Sequence, residues 1–238
     1  MRSPARTRAL TDVLAPTVDR ALALALAVAL SAGAARAETD HSAAAARVLE
    51  GTVLPGTAGF VAATDALVAA APPACGDVDP AALSARFQET WDAWMAIQHL
   101  RFGPIEAESR VLQVAFWPDS RGTVGRTVER IMATENAPVD DPAAFAAISV
   151  GGRGLPAIER LLFNDDGPEA LEPAFRCAYV AAVAGDLSRL AGEIDAAWQG
   201  DFGAAWASAG AEGNAVFLAP AETSQRLFAT TVGALEET

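Results

Sequence analysis

The sequence predicts an all-α protein, an up-and-down helical bundle, and three observations carry that expectation. No segment shows the sustained alternation of β-branched residues, or the Asn-Gly or Asp-Gly hairpin between such runs, that a sheet needs. Leu83, Phe87, Trp91, Trp94 and Gln98 follow at steps of four, four, three and four, which stacks them on one helix face. Leu171, Phe175, Tyr179, Val183, Leu187, Leu190, Ile194 and Trp198 continue such spacing over many more residues, so a long helix turns its apolar face to other helices.

The elements follow in chain order. Arg2, Arg6, Arg8 and Arg20 precede the apolar run Ala21 to Leu30, and Ala35-Arg36-Ala37 ends the segment. A basic start, a short apolar centre and a small-x-small end describe a secretory signal peptide over residues 1–37. The apolar run is shorter than the roughly 20 residues a membrane span needs. The mature domain is therefore expected over residues 38–238. Helices are expected from Ala43 to Leu54 and from Gly59 to Ala71, with an interruption at Pro55-Gly56. Pro72-Pro73-Ala74-Cys75-Gly76 reads as a loop.

Pro80 is placed to begin the tryptophan helix, and Gly103-Pro104 to stop it. Thr123 to Thr134 and Pro142 to Ser149 are expected as helices, the second opened by an aspartate cap and a first-turn proline in Asp140-Asp141-Pro142. The long helix is expected between Gly167-Pro168 and Gly200. The last segment, Ala221 to Glu237, carries Leu227, Phe228, Val232 and Leu235 on one side. The chain stops inside this amphipathic helix, as expected of a sequence that lacks a second half.

Charge excludes some partners. The chain holds 17 basic and 30 acidic residues, and every basic one is arginine. The leader takes five arginines and two aspartates, leaving 12 against 28 and a net charge of −16. Such a surface repels nucleic acid and anionic lipid. Membrane association is otherwise left open. Two cysteines remain, Cys75 and Cys177, and in an oxidising compartment an even pair is expected to bridge.

Several chemistries lack their parts. There is no Gly-rich phosphate loop, no Cys-x-x-Cys and no Gly-x-Ser-x-Gly elbow. Of two histidines, His41 lies just past the cleavage site and His99 follows the tryptophan stripe by one position. A lone helix histidine needs further donors to hold a transition metal. Three clusters remain: Arg101-Phe102-Gly103-Pro104, Phe116-Trp117-Pro118-Asp119-Ser120-Arg121-Gly122, and Arg153-Gly154-Leu155-Pro156-Ala157-Ile158-Glu159-Arg160-Leu161-Leu162-Phe163. Each has a plain structural reading: a helix stop, a Pro-Asp turn with Trp117 as core filling, and a proline-started helix with Glu159 in its first turn.

In order and spacing these clusters, followed by Cys177 and the long helix to Trp198, resemble the imelysin family, also called the M75 peptidase family. The likeness covers about residues 42 to 236. It implies an exported all-helical protein of two related bundles, associated with the periplasm or outer membrane and, in several members, with iron-regulated uptake. Envelope or iron-uptake proteins are the implied partners, and a metal ion, iron, the implied cofactor. The family's motif is Gly-x-His-x-x-Glu. Gly154 and Glu159 match it, and Pro156 stands where the histidine belongs. That departure argues against peptidase activity, because one carboxylate does not hold zinc and catalytic zinc sites take three protein ligands.

Two roles stay open for Glu159. A carboxylate beside Leu161, Leu162 and Phe163 needs a partner, which Arg153, Arg160 or Arg121 would supply as a network. Alternatively a hard cation takes Glu159 with Asp119, Glu106 or Glu108 as further oxygen donors. His99 is a separate candidate metal ligand. The expected binding surface is the Trp117, Asp119 and Arg121 turn together with Arg153, Gly154 and Glu159. The reading that follows is an exported, non-catalytic binding component linked to iron acquisition; the alternatives are an M75-type metallopeptidase and a structural module that binds other envelope proteins.

Overall fold

The protein is described by a computed structural model covering residues 39–72, 76, 78–163 and 174–236. The leader, Cys75, Gly167-Pro168 and Leu171 lie outside the described residues. All regular structure among the described residues is helical, as the sequence predicts.

The first helix, α1 (His41–Val48), does not stop before Pro55. It runs through a π-helical turn at Leu49–Val53 into α2 (Leu54–Ala70), and Pro55 stands in the first turn of α2. This corrects the interruption expected at Pro55-Gly56. Proline has no N–H and its ring collides with the carbonyl four residues back. The wider turn, closed by the Leu54 N–H on the Leu49 carbonyl, lets the helix pass through. The helical run His41–Ala70 is long and apolar enough by composition to cross a membrane. Here it packs within the bundle, with Val53, Phe60 and Leu67 fully buried.

The helix α3 (Pro80–Ile97) begins at the expected proline, with the Asp79 side chain accepting the N–H groups of Ala81 and Ala82. Two short 3-10 turns, Gly103–Ile105 and Ala107–Ser109, lead into α4 (Arg110–Val114). Next come α5 (Thr123–Thr134), α6 (Pro142–Ala146), a 3-10 turn at Val150–Gly152, and α7 (Leu155–Phe163). The long helix α8 (Ala174–Gln199) is followed by α9 (Asp201–Ala207) and α10 (Pro220–Glu236).

The bundle centres on α2, which packs on both α3 and α8; α7 lies against α5 and α8, and α10 against α1. The predicted stripe of α8 is the core: Tyr179, Val183, Leu187, Leu190, Ile194 and Trp198 are all buried. At the end of α8, Trp198 meets Phe102, Phe202 and Trp206 edge-on, Phe102 stacks on Trp206, and the Trp206 indole donates to the Ala45 carbonyl at 3.0 Å. On α10 the expected apolar side is only partly used, since Leu227 packs on the core while Phe228 stays exposed.

Candidate functional site

All three sequence clusters contribute to one place, the first through Arg101 alone. Phe116, Trp117, Asp119 and Gly122 of the segment before α5 line a cavity of about 580 Å³ together with Pro156, Glu159 and Arg160 of α7. The remaining wall is the C-terminal half of α3, with Trp91, Trp94, Met95 and Gln98, and Arg101 just beyond it. The upper part of the α3 stripe, Leu83 and Phe87, is buried in the bundle.

Each wall is positioned by local chemistry. The Asp119 carboxylate accepts the Thr123 N–H at 2.7 Å with one oxygen and the Val124 N–H at 2.8 Å with the other. Those backbone bonds hold its pKa below the ordinary aspartate value. The Gly122 N–H closes the Pro118-Asp119 turn on the Asp119 carbonyl at 3.1 Å, and the Arg126 guanidinium donates to the Arg121 carbonyl. Asp119 is thus a helix cap as much as a cavity wall. Trp117 is 72% exposed, so it is not the core filling that its residue type suggested.

Gly154 fixes the start of α7. Its φ is +79°, and an added Cβ would stand 2.5 Å from the Gln113 carbonyl oxygen and 2.6 Å from that of Val114. Only glycine allows this approach of the α7 entrance to the end of α4. Gly154 also supplies the carbonyl that accepts the Ala157 and Ile158 N–H groups. Pro156 is the second residue of α7, where its missing N–H costs no helix bond.

The structure overturns the network expected around Glu159. Glu159 is the fifth residue of α7, past the first turn, and it is exposed. It has no ion-pair partner among the described residues. The expected partner Arg153 is buried elsewhere, at 6% exposure, and donates from Nη1 to Asp186 Oδ2 at 3.1 Å. Asp186, also 6% exposed, accepts from Arg189 as well, at 2.6 and 3.1 Å. Arg189 continues to Glu193 at 2.6 Å, and Glu193 accepts from Arg110 at 3.1 Å. Burial pushes the Glu193 carboxyl up, but the bonds from Arg189 and Arg110 outweigh it and leave the pKa lowered. An arginine network therefore exists, but it is built on α8 and not on Glu159. A buried arginine had to find a carboxylate, and Asp186 was hidden in a helix read only for its apolar stripe.

Of the other candidates, His99 lies beyond the end of α3 and outside the cavity, and burial lowers its pKa. Arg121 and Glu106 are exposed and do not line the cavity, and Glu108 pairs with Arg110 at 3.0 Å. Cys177 is buried, and no cysteine among the described residues is free. A metal does not fit the donors present. Among the described residues no group of three His, Cys, Asp or Glu is gathered. Glu159 shares the cavity with Arg160 and Arg101, and both oxygens of Asp119 already accept backbone N–H groups. Sequence reading missed Trp91, Trp94 and Met95 as site residues, and it marked Arg101 only as part of a helix stop; the signals were the tryptophan pair and the Arg101-Phe102-Gly103-Pro104 cluster beside it.

Comparison with known proteins agrees with this architecture. A solved imelysin-like protein from Psychrobacter arcticum 273-4 superposes with a TM-score of 0.66 at 22% identity, over 82% of this chain and 59% of that one. This chain thus spans about three-fifths of the length of that protein, and the likeness is one of fold. No curated protein matches the sequence. The family model described as Imelysin, peptidase M75, matches residues 53–238, most of the chain, and the protein belongs to the imelysin family.

Proposed function

We propose that this is an exported, non-catalytic binding component that serves iron acquisition in the periplasm, and that the cavity between α3, α7 and the Phe116–Gly122 segment is its binding cleft. The observation that carries the reading is the convergence of two family motif segments on one aromatic-walled cavity. Concave, largely apolar sites with a few polar groups are the usual form of ligand clefts. The basic and apolar leader supports export, and the family resemblance supports the link to iron. The exposed Trp117 at the rim offers a contact for an envelope or iron-uptake partner. A Cys75–Cys177 bridge belongs to the same proposal, because exported thiols oxidise.

The test is threefold. Protein recovered from a periplasmic fraction is expected to begin near Glu38 and to carry metal well below one ion per chain. A strain lacking the protein is expected to grow more slowly under iron limitation and normally in iron-replete medium. Unchanged growth under iron limitation would remove the link to iron. Stoichiometric metal, together with metal-dependent cleavage of an unfolded substrate, would replace this reading with the metallopeptidase one.

A further inference from the structure

Trp94 is a wall of the cavity, together with the aromatic side chains of Trp91, Phe116 and Trp117. The volume of about 580 Å³ falls in the range of small-molecule sites, about 300–1,000 Å³.

The charges in the cavity are differently engaged. Asp119 is committed to two backbone N–H groups. Arg160 lies across Gly125, where an added Cβ would stand 2.9 Å from its Nη2, so the glycine leaves room for the guanidinium. Neither Arg160 nor its neighbour Glu159 has an ion pair among the described residues, although both line the cavity. A guanidinium matches a carboxylate through two parallel bonds, and a carboxylate accepts a bond from a hydroxyl.

We propose that the cavity binds a small hydroxylated aromatic carboxylate. Its ring packs among Trp91, Trp94, Phe116 and Trp117. Its carboxylate faces Arg160 and its hydroxyl donates to Glu159. The inference rests on reading this cavity as the binding cleft.

Isothermal titration calorimetry of the mature protein with the three hydroxybenzoate isomers, benzoate, phenol and benzylamine tests it. At least one hydroxybenzoate is expected to bind more tightly than the other three probes. Arg160→Gln is expected to weaken it by about tenfold or more, the loss of a bond to a charged group. Glu159→Gln should shrink the advantage of hydroxybenzoate over benzoate. Binding of phenol or benzylamine as tight as that of hydroxybenzoate, or hydroxybenzoate binding untouched by Arg160→Gln, overturns the ligand class and leaves the cleft standing. Binding of none of the six overturns both.

Discussion

Arg153 and Asp186 form a buried ion pair at 3.1 Å that ties the entrance of α7 to the middle of α8. The pair fixes the segment from which Gly154, Pro156 and Glu159 follow. It also anchors the chain of charges that runs through Arg189 and Glu193 to Arg110. Removing one partner of such a pair leaves a charge buried and alone. Asp186→Ala is therefore expected to destabilise the fold by about 3–5 kcal/mol. For a domain of this size that lowers the melting temperature by on the order of 10 °C. Thermal unfolding followed by circular dichroism measures it, and a loss under about 1 kcal/mol would show that the pair is not an anchor.

Gly154→Ala is expected to cost at least about 3 kcal/mol, through positive-φ strain and a methyl forced against two backbone carbonyls. Neither carbonyl oxygen is the end of a flexible side chain, so the clash does not relax cheaply. Gly213 has a similar φ but open space around it, so Gly213→Ala should cost only the strain of its backbone angle, about 1–2 kcal/mol. Urea titration of the two variants separates the terms.

Glu159→Gln is expected to change stability by less than about 0.5 kcal/mol, because the side chain is exposed and has no ion-pair partner among the described residues. A clear fall in melting temperature would mean that Glu159 is held in a network after all.

The carboxyls of Asp119 and Glu193 both have lowered pKa values in the folded protein. A group with a depressed folded pKa binds more protons when unfolded, so its contribution is present above the unfolded value and lost as pH falls through the folded one. Stability should therefore drop as pH falls below the ordinary carboxylate range, about pH 4. Asp119→Asn should flatten part of that drop. An identical pH profile for the variant would show that Asp119 does not contribute to it.

Reduction of the purified protein is expected to raise its intact mass by about two mass units, one hydrogen for each sulfur of a Cys75–Cys177 bridge. No change in mass would remove the bridge.

The sequence by itself determined the helices and their inward faces. The spacing of Tyr179, Val183, Leu187, Leu190, Ile194 and Trp198 is enough, because residues three and four apart share a face whatever they pack against. It determined the starts of α3 and α6 too, since the carboxylate of an aspartate just before a proline accepts the first free N–H groups of the helix, a contact local in sequence. It also carried the family, through Gly154, Glu159 and the Trp117 turn. Only the tertiary structure decided what the polar residues do. Arg153 has no local carboxylate that fits, and its partner stands 33 residues away on another helix. Trp117 carries the same apolar ring as Trp94, but one is at the rim and the other is buried. Pro55 was read as a break because proline ends helices locally, yet packing on both sides of α2 keeps the helix running through a π turn. Helical periodicity is set by neighbours in sequence. Ion pairs, cavities and exposure are set by neighbours in space, and those are known only once the helices have packed.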